Sequence, residues 1–196
     1  MKNANRPTEG SIIAVEPIRN TKDITTIKKR LDSPRDFALF VLGINTALRA
    51  SDLLKIAVGQ IRHLGPGDTL PIREQKTGKE RRLTLNPAAH GAIAKLLATM
   101  PNAADDAPLF QSRKGGKALT VSTLNNMVKR WCSWCNLTGN YGSHTLRKTF
   151  GYHHRVTFGT DLPTLMKVFG HATQGQTLHY LGIQETEVKD AFMREL

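Results

Sequence analysis

Residues 143–180 read SHTLRKTFGYHHRVTFGTDLPTLMKVFGHATQGQTLHY, and no other stretch restricts the fold as much. It cannot form one continuous helix. Ser143 is a suitable N-cap, and the helical pattern it opens runs to Phe158, where Gly159-Thr160-Asp161 ends it. Leu162-Pro163 opens a second short helix through Leu165, Met166, Val168 and Phe169. Gly170-His171 reads as a turn, and residues 174–181 read as a third helix. With Ser143 as the cap, His144 and Arg147 lie three apart on one face of the first turns. Free backbone N–H groups and the helix dipole favour an anion there. Tyr180 follows His171 by nine residues. Histidine, guanidinium and phenol together suit phosphate chemistry. Arginine binds phosphate oxygens bidentately, histidine moves protons near neutral pH, and a tyrosine oxygen can be a covalent nucleophile. His179 is expected to point away from its neighbour Tyr180.

The rest of the chain predicts helices around a single β-rich stretch, a mainly α fold with a small antiparallel sheet (α+β). Ser33-Pro34-Arg35-Asp36 is a helix start, and Phe37, Leu39, Phe40, Val41, Leu42 and Ile44 make that helix apolar nearly all round, hence a core helix. Ser51 is expected to cap a short helix, with Arg49 just before it and Asp52 as a local carboxylate. Residues 69–73 and 81–85 read as strands flanking the loop Lys76-Thr77-Gly78-Lys79, and residues 58–63 read as a third strand. Either lysine of that tip suits a phosphate contact. Pro87 begins another helix. Residues 111–117 form a basic, glycine-rich loop with Arg113, Lys114 and Lys117 suited to a nucleic-acid backbone. It lacks the Gly-Lys-Ser/Thr ending of a nucleotide-binding loop. Thr120 or Ser122 caps a helix that turns Trp131 and Trp134 to the core and Asn125, Asn126, Lys129 and Arg130 outward, towards DNA. Residues 1–32 are a basic lead-in. Its run Lys28-Lys29-Arg30 is either solvated or an arm on a DNA backbone.

The net charge of +12 and sequence pI near 10.1 point to a polyanion, with nucleic acid ahead of an anionic membrane. No run of 18 apolar residues is present, and MKNANRPTEG has no apolar signal core, so a cytoplasmic protein acting on DNA is expected. At 196 residues the chain suits one well-cored domain, residues 33–196, after the lead-in. Cys132 and Cys135 have C-x-x-C spacing inside a helical pattern. They lack a second cysteine pair or a thioredoxin-like strand–motif–helix context, and read as small apolar helix residues.

His-Thr-Leu-Arg, then Gly-His, then Tyr, resembles the C-terminal half of a tyrosine recombinase (phage integrase) catalytic domain. Two upstream features agree: Ala47-Leu48-Arg49-Ala50-Ser51-Asp52-Leu53-Leu54, with an arginine at a helix start, and Lys76 on a hairpin. Six positions are filled in order: Arg49, Lys76, His144, Arg147, His171 and Tyr180. The resemblance implies the recombinase fold and a site-specific DNA recombinase. Tyr180 would attack a DNA phosphodiester and form a 3′-phosphotyrosine. Arg49, Arg147 and His171 would surround the phosphate, His144 would assist, and Lys76 would protonate the leaving oxygen. No metal and no cofactor are implied. The implied partners are double-stranded DNA and other protomers, with a tetramer on DNA. Most relatives carry an additional N-terminal helical DNA-binding domain. With only about 32 residues before the catalytic region, the chain reads as a compact recombinase like those that invert fimbrial promoters, or as a catalytic fragment. Residues 185–196 form an amphipathic tail that the family packs on a neighbouring protomer; packing on its own domain is the alternative. Two other functions share these residues: DNA relaxation of the type IB topoisomerase kind, and non-catalytic DNA binding by a regulator that keeps the fold.

Overall fold

The computed structural model describes residues 15–74, 78, 80–113, 115–181, 192, 193 and 195. Among the described residues, helices accompany one two-stranded antiparallel sheet, the mainly α architecture with a small antiparallel sheet read from the sequence. Helix α1 (Thr21–Arg30) lies within the stretch read as a lead-in. Ile24, Ile27 and Leu31 recur at helical spacing, and with Ile18 they pack into or against the main core. Lys28, Lys29 and Arg30 are therefore the last turn of a docked helix rather than an arm. Arg30 Nη1 donates to the Trp134 carbonyl at 2.8 Å.

Helix α2 (Pro34–Asn45) starts as expected, with Ser33 capping the Asp36 N–H and Pro34 in the first turn. Residues 38–43 are all buried, which makes α2 the central helix. Its Phe40 meets Trp131 edge-on at 5.6 Å. Helix α3 (Ala50–Leu53) differs from expectation, because Arg49 occupies the cap position and no side chain caps it. Ser51 lies inside the helix. Ala47, at a left-handed φ of 52°, makes the turn that lets α3 begin this early.

Residues 58–63 are not a third strand. Val58–Ile61 forms a short helix, α4, with Val58 and Ile61 buried one turn apart and Gln60 Oε1 accepting the Ala57 N–H. The i, i+3 apolar pair outweighed the β-propensity of valine and isoleucine. The sheet is the expected hairpin, β1 (Thr69–Arg73) and β2 (Glu80–Thr84), with Leu70 opposite Leu83 and Ile72 opposite Arg81. Lys76 and Lys79 of its tip lie outside the described residues, as does Lys114. Helix α5 (Pro87–Leu97) is capped by Asn86 and packs on α2.

Helix α6 (Val121–Ser133) is capped by Thr120. Trp131 is core; Trp134, at the C-cap, packs half-buried against it. Cys132 is a buried free thiol, pushed up to about 12 chiefly by burial, and Cys135 Sγ faces the Asp23 carbonyl. They fill space, as read. Most of the tail from residue 182 onward lies outside the described residues; Phe192 and Met193 are exposed.

Candidate active site

The three short helices after residue 143 are present: α7 (Thr145–Tyr152), α8 (Leu162–Phe169) and α9 (Gln174–Leu181). The start of α7 differs from expectation. His144, not Ser143, occupies its cap position, with no side-chain cap bond. Ser143 is buried, and its N–H donates to Asn125 Oδ1 of α6 at 3.1 Å. Asn125 therefore holds this turn instead of facing a DNA base. Thr145 Oγ1 completes the turn by accepting the Gly142 N–H. Past Tyr152 the helix widens into a π turn, His153–Thr157, before Gly159 ends it at a left-handed φ of 67°. Asp161 then caps α8 through the Thr164 N–H. Gly170, also at φ 67°, closes α8 and turns the chain into His171.

These short helices enclose a second apolar cluster of Ala47, Phe150, Leu165 and Phe169, with Tyr180 and Leu181 packed against it. Gly151 allows α9 to come this close: a Cβ there would stand 2.6 Å from Leu181 Cδ2 and 2.8 Å from Phe169 Cζ.

Arg147 is only 3% exposed. Its guanidinium donates to the Ala47 carbonyl through Nη1 and to the Phe169 carbonyl through Nη2. Its Cζ lies 4.9 Å from the Phe169 ring centre and 5.7 Å from that of Tyr180. Burial lowers its pKa to about 10, which still leaves it charged at neutral pH. His171 stacks on Phe169 at 5.3 Å and meets the Tyr180 ring edge-on at 5.4 Å. Its Nδ1 is 3.0 Å from the buried Thr177 Oγ1, which leaves Nε2 to face a ligand. Burial, then Arg147, Arg49 and Arg81, push its imidazole down to about 4, so it is neutral at pH 7. His144 is lowered by desolvation first and by Arg147, Arg49 and Lys148 next.

Among the described residues, the buried Tyr180 hydroxyl has no well-aligned hydrogen-bond partner. Burial pushes the phenol up to about 12, while Arg147 and Arg49 pull the other way. Lys148 Nζ lies 5.3 Å from the ring centre. Arg49 joins the group from α3: its Nη1 is 2.7 Å from Glu74 Oε2 and 3.9 Å from Asp52. Its N–H bonds do not point along the short contact, so this is an ion pair by charge and distance rather than a hydrogen bond.

Five of the six expected residues, Arg49, His144, Arg147, His171 and Tyr180, are thus held in one neighbourhood by packing, ring contacts or mutual electrostatics. Lys76 lies outside the described residues. Sequence reasoning missed Glu74, Arg81, Thr177 and Lys148. Lys148 stood beside Arg147 in the motif, and Thr177 stood one turn before Tyr180 on the same predicted helix. Glu74 and Arg81 carried no local signal. Among the expected DNA contacts, Lys29, Arg113, Lys117, Lys129 and Arg130 are exposed, whereas Lys28 is half-buried and lowered by desolvation.

The model of the Phage integrase family matches residues 19–187. The chain is 31% identical over 180 residues to the Bacillus subtilis protein described as "Probable integrase/recombinase YoeC", covering 91% of this chain and 95% of that one. It is 30% identical over 167 residues to "Tyrosine recombinase XerC" of Caldanaerobacter subterraneus subsp. tengcongensis, covering 82% of this chain but 46% of that one. It therefore spans nearly all of the first relative and about half of the second. Among solved structures, XerH recombinase bound to palindromic difH in a post-cleavage complex superposes with a TM-score of 0.75 at 20% identity, over 93% of this chain and 53% of that one. XerA recombinase gives 0.75 at 17% identity, over 98% of this chain and 68% of that one. No helix among the described residues is long and apolar enough to cross a membrane.

Proposed function

Because the chain belongs to the phage integrase family, the tyrosine recombinases, we propose that it cuts and rejoins duplex DNA at a specific site, with Tyr180 as the nucleophile. The observation that carries this reading is the Tyr180 phenol packed against Arg147 and His171, with no well-aligned partner for its hydroxyl among the described residues. Tyr180 Oη attacks the phosphorus and the P–O5′ bond breaks, leaving a 3′-phosphotyrosine and a 5′-hydroxyl. The phenol proton passes to His144, a neutral base because its pKa is lowered. Lys76 Nζ gives a proton to the leaving O5′. A 5′-hydroxyl, from the same strand or from a partner, reverses the step and rejoins the strand. The phosphoester bond energy is retained throughout.

Arg49, Arg147 and His171 contact the non-bridging oxygens. Fixed donors aimed at charge that builds in the transition state make the largest contribution in such reactions. Thr177 on Nδ1 orients His171, so that Nε2–H donates to phosphate without the imidazole being charged. The same arginines also favour the phenolate, because their charge draws the phenol pKa down against burial. Double-stranded DNA is the substrate. The exposed cations of α6 and of the 111–117 loop contact its backbone. Other protomers join on the duplex, as a tetramer, for strand exchange.

The test is cleavage of nicked duplexes taken from the neighbourhood of the coding gene, read on denaturing gels. The reading expects a slow-migrating protein–DNA species that Tyr180→Phe abolishes while duplex binding persists. Cleavage that survives in Tyr180→Phe would sink it.

A further inference from the structure

Glu74 is an anion buried inside a cationic site, and no step above uses it. Its side chain is 3% exposed. Oε2 is 2.7 Å from Arg49 Nη1, and Oε1 accepts a hydrogen bond from Arg81 Nη1 at 2.8 Å. A Cβ placed on Gly170 would stand 3.7 Å from Oε1, so the carboxylate also abuts the turn that leads into His171. Burying a carboxylate is costly unless cations offset it, and here two arginines from different elements do so. Arg49 begins α3, Arg81 lies on β2, and Glu74 directly follows β1. Lys76 comes two residues later in the chain.

We propose that Glu74 is a positioning residue. Its carboxylate joins both strands of the hairpin to Arg49, and so fixes where the hairpin tip delivers Lys76 relative to the phosphate that Arg49 holds. This rests on the reading of Lys76 as the acid for the leaving oxygen. A plug that fills the phosphate position is the other role open to a buried anion here. It fits less well: Arg49 and Arg81 are 20% and 18% exposed against 3% for Glu74, so a phosphate arriving from solvent meets the arginines first.

The test uses the full chain and the nicked duplex selected by wild-type trapping. That duplex is made in two forms, with oxygen or with sulfur as the 5′ bridging atom of the scissile linkage. A thiolate leaves without a proton, so the sulfur form bypasses the step assigned to Lys76. Glu74→Gln keeps the shape and removes the charge. It is expected to slow single-turnover cleavage of the oxygen duplex about tenfold to hundredfold, as a misplaced catalytic group does. On the sulfur duplex it is expected to fall within roughly threefold of wild type. Duplex affinity is expected to stay equal or tighten, because a negative charge has left the site. Arg81→Met, which breaks the same joint from the other strand, is expected to give the same sulfur-sensitive pattern. Lys76→Ala is the control for the underlying reading and is expected to be rescued by sulfur. Rescue of Lys76→Ala without rescue of Glu74→Gln overturns the positioning role. Failure to rescue Lys76→Ala overturns Lys76 as the acid, and the role of Glu74 with it. Equal cleavage of the oxygen duplex by wild type and Glu74→Gln also overturns the role.

Discussion

Tyr180→Phe is expected to make the DNA-free protein more stable. The Tyr180 hydroxyl is buried with no well-aligned hydrogen-bond partner among the described residues, and its ring is packed by Phe169, His171, Arg147 and Lys148. A buried unsatisfied hydroxyl costs about 1–3 kcal/mol relative to one solvated by water. Phenylalanine keeps the ring contacts, including the cation contacts, and weakens the latter by at most about 0.5 kcal/mol. The net gain is then about 0.5–2.5 kcal/mol. For a chain of this size, each kcal/mol moves Tm by about 2–4 °C, so the shift is roughly +1 to +10 °C. Thermal melts followed by circular dichroism, at matched concentration and without DNA, measure it. The same variant is expected to abolish covalent trapping, so stability and activity move in opposite directions. A Tm equal to or below that of wild type would show that the hydroxyl has a partner in the folded protein, and the reasoning from its unpaired state would fail.

Three further outcomes follow from the same geometry. The folded-state pKa of His171 is lowered to about 4, so on acidification the unfolded chain takes up this proton first; stability falls as pH drops from about 6.5 towards 4. Urea unfolding across that range is expected to show a shallower acid loss in His171→Gln. Gly151→Ala would place a Cβ 2.6 Å from Leu181 and 2.8 Å from Phe169, costing about 1–3 kcal/mol by overpacking; urea midpoints measure this, and cleavage is expected to slow because both neighbours flank Tyr180. Gly170→Ala places a side chain at φ 67°, costing about 1–2 kcal/mol, and a lower Tm with weakened phosphate contact by His171 is expected.

Much of this site was legible because local rules set it. Pro34, Pro87, Asp161 and Gly170 sit where cap chemistry puts them, and the short helices after residue 143 followed from Gly159 and Gly170. The errors came from tertiary context. Residues 58–61 look like a strand until Val58 and Ile61 find one buried face. Ser143 looks like a cap until Asn125, 18 residues away, takes its N–H. The stretch before residue 33 looks like a lead-in until Ile27 is seen in the core. Glu74 was invisible for a similar reason. Its meaning lies in Arg49 and Arg81, one distant in sequence and the other across a hairpin, and no spacing rule links the three.

The central claim is that Tyr180 is the atom source of the covalent bond to DNA. Peptide mapping of the trapped complex by mass spectrometry tests it most directly. The account predicts a nucleotide 3′-phosphate attached to the tryptic peptide that follows Lys167, with fragmentation placing it on Tyr180. An adduct on any other residue, or one that forms equally in Tyr180→Phe, would contradict it.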